Sequence, residues 1–209
     1  MNKLLLEDRL KRPCKLKLMV IDDFYENPYD VRDFALQQSY FENIYHPGFR
    51  TNALFFSQEH IDKFQSYLQF IGCKEVISDS SYNGHFQYNT AEQKSWIHYD
   101  TNSKNTSNVE GWAGIVYLTP NAPLSSGTGF FKFIDGNLCR NDDILLKNEK
   151  ELSSNCKDIH KFEIVTRIGN IFNRLILFKS DQYHISMDYF GSDIKNSRLI
   201  QLFFFNVIY

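Results

Sequence analysis

From about residue 82 onward the chain breaks into short apolar or alternating segments separated by turn-forming residues. This rhythm limits the fold more than any other feature of the sequence. The segments are 84–89, 94–100, 112–118, 129–134, 161–166, 174–179 and 198–208. Short strands at such spacing fit a sandwich or an open barrel. Aromatic residues make up 16% of the chain, and aromatic and β-branched side chains favour sheet. The last segment contains Leu202, Phe203, Phe204 and Phe205 and reads as a buried strand. No apolar run approaches the roughly 18 residues that a membrane span needs.

The first eighty residues read differently. Residues 15–21 alternate and then turn fully apolar, as a strand entering the core does. Asn27 suits a helix N-cap and Pro28 a first helical position. Val31, Phe34, Ala35 and Gln38 follow at helical spacing, so a helix is predicted over 28–39. Residues 46–52, with Pro47, Gly48 and Asn52, read as a loop. Ser57 caps a second helix whose stripe is Ile61, Phe64, Leu68 and Ile71, with Gly72 as its stop. The two helices carry no obvious chemistry and are expected to buttress one face of a sheet. Helices followed by a β core predict a mainly β, α+β domain. A single domain is expected over 1–209, with residues 1–80 supporting a core over 82–208. Residues 121–129 read as a turn-rich loop, and 142–153 as a short helix inside an insertion over 137–160.

Composition narrows the function classes. A chain of 209 residues with 43% hydrophobic content buries a sizeable core. The formal charge of −2 offers no basic stripe for nucleic acid. Cys14, Cys73, Cys139 and Cys156 form no CxxC pair, which fits reduced thiols in a cytoplasmic protein. The apolar run at Leu4, Leu5 and Leu6 ends at Glu7 and is too short for a signal-peptide core. The expected partners are a small-molecule or peptidyl substrate, without nucleic acid or membrane.

The chemistry concentrates in a few residues. His98 and Asp100 lie two apart, so a strand there aims both at one face. His184 follows the apolar strand 175–178 through a short turn. A His, a carboxylate and a second His make a facial triad that leaves metal positions open. Arg198 heads the last strand, where a buried guanidinium is costly unless it meets an anion, and a carboxylate matches its fork. Trp96 shares the face of His98 and Asp100 if that strand is regular, and Tyr183 adjoins His184; both are candidates for a substrate pocket, although core packing serves either. His46, His60 and His160 read as ordinary surface or core histidines, nothing supports a role for His85, and Lys132 reads as solvated.

In their order and approximate spacing these pieces resemble the iron(II)/2-oxoglutarate-dependent oxygenases, in the prolyl-4-hydroxylase-like branch. The resemblance rests on Tyr88, ten residues before His98; on His98, Tyr99 and Asp100; and on segments 116–119, 126–131, 173–178 and 197–200. Segment 20–24 resembles the opening of related small oxygenases. The resemblance implies a double-stranded β-helix, the jelly-roll or cupin-like fold, with N-terminal helices packed on the sheet. It implies iron(II) on His98, Asp100 and His184. Arg198 would hold the distal carboxylate of 2-oxoglutarate, helped by Tyr117, while Tyr88 would reach the cosubstrate or the substrate entrance. Arg174 lies before His184, where the family has a structural arginine, and segment 187–193 lengthens the gap to Arg198. The implied reaction consumes O2 and 2-oxoglutarate, releases succinate and CO2, and hydroxylates an unactivated C–H of a peptidyl residue, an amino acid or a small metabolite. The carboxylate ligand Asp100 implies hydroxylation rather than halogenation, with desaturation and demethylation left open. The alternatives are a non-catalytic cupin-type metal-binding protein and a zinc hydrolase, the latter without an HExxH helix to support it.

Overall fold

Alternation in the last segment explains the layering. Arg198, Ile200, Leu202 and Phe204 point to one side, and Leu199, Gln201, Phe203 and Phe205 to the other. Nearly all are buried, so this strand needs cover on both faces.

The computed structural model describes residues 16–43, 46–78, 83–100, 108–134 and 158–209. In chain order its elements are β1 (Leu18–Ile21), α1 (Pro28–Leu36), β2 (Tyr40–Asn43), β3 (His46–Leu54), α2 (Gln58–Leu68), β4 (Glu75–Ile77) and β5 (His85–Asn89). There follow β6 (Val109–Tyr117), β7 (Thr128–Phe133), β8 (Phe162–Ile168), β9 (Leu175–Lys179), β10 (His184–Ser186) and β11 (Arg198–Ile208). The large sheet runs β1-β9-β6-β11-β5-β3-β2, with β4 paired to the far end of β11; the smaller runs β10-β7-β8. All pairings are antiparallel. This is the mainly β, jelly-roll arrangement expected from the sequence.

Register decides which residues share a face. Ile200 lies opposite both Tyr117 and Gln87, Leu202 opposite Ile115 and His85, and Ala113 opposite Phe178. That face packs with Phe130 of the small sheet into an inter-sheet core. The other face, with Leu199, Phe203, Phe205, Phe86 and Leu177, packs on Val31 and Ala35 of α1 and Phe64 and Leu68 of α2. The helices therefore buttress one face, as their stripes imply. Arg32 ties α1 down by donating to the carbonyls of Leu118 (2.5 Å) and Lys195 (2.7 Å).

Three local expectations change. The helix predicted over 28–39 ends at Leu36, because the chain turns into β2 and the Tyr40 hydroxyl donates to the Ala35 carbonyl. Asn27 stands at the cap but makes no side-chain cap bond. Residues 46–52 are not a loop but most of β3, since pairing with β2 and β5 on either side outweighs the turn tendencies of Pro47 and Gly48. Residues 94–100 form no ladder, and their one β-bridge is His98 to His184. The helix expected over 142–153 lies outside the described residues.

Gly48 shows how closely β3 and β5 approach. Its φ is +79°, and a Cβ there would run into the Tyr88 carbonyl and the Asn89 side chain. Gly48→Ala is expected to destabilise the protein by about 2–4 kcal/mol in urea unfolding. A loss below about 0.5 kcal/mol, within the range of ordinary surface substitutions, would contradict this strand packing.

Candidate metal centre

Two backbone hydrogen bonds build the centre. The His98 N–H donates to the His184 carbonyl (2.9 Å), and the His184 N–H donates to the His98 carbonyl (2.8 Å). The Asp100 N–H then donates to the Ser180 carbonyl (2.7 Å), so the 98–100 segment is pinned beside the turn between β9 and β10. The two imidazole centroids are 4.3 Å apart.

Each ring is oriented by its own chain. Nδ1 of His98 bonds the Trp96 carbonyl and Nδ1 of His184 bonds the Gln182 carbonyl, both at 2.9 Å. A carbonyl only accepts, so Nδ1 carries the proton. In a neutral imidazole Nε2 is then left as a free lone pair, the arrangement that metal-bound histidines use. One ligand atom from each of His98, Asp100 and His184 lies within 4.8 Å of the other two. His184 Nε2 and Asp100 Oδ2 are 3.6 Å apart. Burial, and then His98, pull the His184 pKa down to about 4, against weaker raising by Asp100. At neutral pH His184 is therefore uncharged, and its 3.6 Å contact with Asp100 is not an ion pair.

The centre opens into a cavity between the sheets. It is bounded by Ala113, Ile115, Phe178, Ile200, Leu202 and Phe204 on the apolar side. Arg198 heads the same face of β11 and is completely buried. It donates from Nε to the Ser126 carbonyl (2.8 Å) and from Nη2 to the Gly127 carbonyl (3.4 Å), while Nη1 has no partner among the described residues. Its guanidinium carbon is 5.5 Å from the Tyr117 ring centroid, and the Tyr117 hydroxyl shares a 2.8 Å bond with Thr128 Oγ1. Burial raises the Tyr117 pKa, so this hydroxyl stays protonated. Arg174 is engaged elsewhere, gripping Asp22 through Nε (2.6 Å) and Nη2 (2.9 Å).

Other residues fall elsewhere than the sequence suggested. Tyr88 lies opposite Leu199, on the helix side of the sheet, stacked on Phe49 at 4.9 Å and edge-on to Tyr40 at 5.0 Å. Its neighbour Gln87 lines the cavity instead, because adjacent strand residues face opposite ways. Tyr183 packs outward against Phe162 and Tyr99, away from His184 for the same reason. Trp96 contributes its carbonyl to His98, and its side chain does not line the cavity. His46, Arg50 and Tyr189 do line it, and nothing in the sequence pattern singled them out. Pro47 and Gly48 disguised the strand that carries the first two; Tyr189 sits in the lengthened segment 187–193. His60 is a satisfied core histidine, bonded through Nε2 to the Tyr25 hydroxyl (3.0 Å), and Lys132 pairs with Glu163 (2.9 Å).

The depressed pKa of His184 carries a sign. Unfolding restores the pKa toward its usual 6.5, so below that pH the unfolded chain takes up a proton that the folded chain refuses until about pH 4. Stability is fully present above pH 6.5 and falls as the pH drops toward 4. Between about pH 7.5 and about pH 5 the metal-free protein is expected to lose about 2 kcal/mol through His184. Urea unfolding at the two pH values checks this, with His184→Asn losing correspondingly less.

No curated protein matches the chain. HygX from Streptomyces hygroscopicus, with nickel, 2-oxoglutarate and hygromycin B bound, superposes with a TM-score of 0.53 at 11% identity, over 98% of this chain and 87% of that one. The same protein with nickel and 2-oxoglutarate gives 0.52 at 11% identity and the same coverages. A prolyl hydroxylase from Trichoplax adhaerens, in complex with a hypoxia inducible factor oxygen degradation domain peptide fragment, gives 0.46 at 11% identity over 100% of this chain and 94% of that one. The fold is that of the iron(II)/2-oxoglutarate-dependent oxygenases. No helix among the described residues is long and apolar enough to cross a membrane. Residues 9–201 match a family of unknown function, DUF6445, and the chain belongs to that family.

Proposed function

We propose that this protein is an iron(II)/2-oxoglutarate-dependent dioxygenase that hydroxylates an unactivated C–H bond of a peptidyl residue, an amino acid or a small metabolite. One observation carries the reading. Three convergent side chains, two of them histidines with pre-set Nε2 donors, line a cavity that Ile200 and Leu202 of β11 also line, and the same face of β11 carries the fully buried Arg198 guanidinium, with one nitrogen unpartnered among the described residues. His98, Asp100 and His184 fit a divalent metal, and the donor set suits non-haem iron(II) with open positions. Arg198 fits a carboxylate, because an orphaned buried Nη1 is expensive until an anion meets it. HygX, which shares the fold, has been seen with a metal and 2-oxoglutarate, and this supports the assignment of the cosubstrate.

Bound there, iron(II) and 2-oxoglutarate would supply the oxidative decarboxylation that couples O2 to C–H hydroxylation, with release of succinate and CO2. The chain's own work is positioning. The Trp96 and Gln182 carbonyls hold the imidazoles in the tautomer that binds metal. Asp100 contributes the anionic ligand. The Ser126 and Gly127 carbonyls aim the Arg198 fork, and Tyr117 lies beneath it. Ile200, Leu202 and Phe204 keep the reacting side of the cavity apolar. A plain metal-binding cupin or a zinc hydrolase leaves the buried Arg198 without a use.

Anaerobic addition of iron(II) and 2-oxoglutarate is expected to give a visible charge-transfer band, lost in His98→Ala and Asp100→Ala. Arg198→Gln is expected to keep the metal but to need about 10–100-fold more 2-oxoglutarate, the loss of one charge-assisted bond of roughly 1.5–3 kcal/mol. A wild-type protein that shows no band and forms no succinate in air refutes the reading.

A further inference from the structure

We infer that Arg50, with Gln87 and His46, forms an anion subsite in the same cavity as the metal ligands, and that it takes the carboxylate of a small organic-acid or amino-acid substrate. The inference rests on the oxygenase reading above and deepens it.

Register is the first support. Arg50 lies opposite Gln87 on β5, and Gln87 lies opposite Ile200 on β11, so all three face the inter-sheet cavity. Arg50, Gln87 and His46 line that cavity together with His98, Asp100 and His184. The second support is how the guanidinium is held. Nε and Nη2 of Arg50 both donate to the single Oε1 of Gln87, at 2.9 and 2.6 Å. Gln87 cannot turn away, because its amide donates to the Pro47 carbonyl (3.0 Å) and to Asn89 Oδ1 (3.2 Å). Arg50 is thus fixed by a neutral acceptor, through two of its three nitrogens. Among the described residues no carboxylate forms an ion pair with it; Asp100 acts on it only from a distance. Burial has pulled its pKa down to about 10, so it remains a cation at neutral pH but a poorly compensated one. His46 adds a buried Nδ1 on the same wall, with no partner among the described residues.

Charge and size favour a small monoanion. A divalent metal, Asp100, dianionic 2-oxoglutarate and Arg198 together sum to zero. Arg50 leaves one positive charge over, which a substrate carboxylate would neutralise. The cavity measures about 80 Å³, several times the roughly 10–15 Å³ that one water occupies on this scale. That suits a small molecule. The apolar wall of Ala113, Ile115, Ile200, Leu202 and Phe204 would take an aliphatic or aromatic body. Arg198 is a separate anchor, held by different carbonyls at the head of β11.

The test uses the full chain loaded anaerobically with iron(II) and 2-oxoglutarate. The wild-type absorption band is read first, and its absence sinks the oxygenase reading itself. With the band present, calorimetric titrations compare 3-phenylpropanoate, 3-phenylpropanamide and an end-blocked glutamate-containing tetrapeptide. The acid is expected to bind saturably and at least tenfold tighter than the amide. Arg50→Gln should weaken the acid at least tenfold, leave the amide unchanged and still form the band, while Arg50→Lys should retain part of the acid affinity. Equal binding of acid and amide, no binding of the acid, or acid binding indifferent to Arg50→Gln overturns the subsite while the band stands. Loss of the band in Arg50→Gln overturns it too, by assigning Arg50 to the metal or cosubstrate. Preference for the peptide over the free acid overturns the small-substrate assignment.

Discussion

The reciprocal backbone pair between His98 and His184 is the contact on which the proposed chemistry depends. It joins a segment that lacks regular strand structure to the first residue of β10, and it sets two imidazoles side by side. Without that pair, neither the spacing of His98 and Asp100 nor the turn after β9 brings three donors together. Backbone hydrogen bonds suit this role because they fix position without using the side chains. The side chains remain free to turn Nδ1 to a carbonyl and Nε2 to the cavity.

Beneath this pair, β11 links the two functions of the fold. One of its faces makes the core with the helices, and the other carries Arg198, Ile200 and Leu202 toward the inter-sheet space. Some of the polar groups buried around it are fully engaged. Gln201, on the helix side, accepts from the Tyr25 hydroxyl (2.6 Å) and donates to the Phe55 carbonyl (2.8 Å). Asn173, at φ +65°, clasps the backbone of Tyr25 with both ends of its amide, at 2.9 and 2.8 Å. Asn89 Nδ2, Ser197 Oγ and Asn206 Oδ1 have no partner among the described residues, and neither do Arg198 Nη1 and His46 Nδ1, although buried polar atoms normally find partners. The last two belong to residues on the inter-sheet side, which is where ligands are proposed to complete them.

Two arginines on the inter-sheet side, in different settings, divide the proposed binding work. Arg198 is held by backbone carbonyls and is wholly enclosed, as befits an anchor for a constant ligand. Arg50 is held by a glutamine side chain on a strand near the sheet edge, and such an element tolerates more variation than β11 at the centre. A fixed cosubstrate anchor and an adaptable substrate contact are consistent with these positions.

Much of the fold was legible in the sequence because period-two patterning and helix signals act locally. The strand over 198–208, the helix beginning at Pro28 and the Gly72 stop at φ +93° all appear where their residues imply. The residues named for the metal site were also legible as types, because a buried arginine and paired histidines are chemically conspicuous. What the sequence alone determined is this inventory: which segments are apolar on which side, and which side chains carry uncommon chemistry. What only tertiary structure decided is partnership. Residues 46–52 became β3 because strands on both sides supplied hydrogen bonds that local turn preference does not count. Residues 94–100 failed to become a strand because only one bridge was offered. Tyr88 yielded its place to Gln87, and Arg50 entered the cavity, because register across β3, β5 and β11 fixes each side chain's face, and no local pattern encodes register between strands so far apart in the chain.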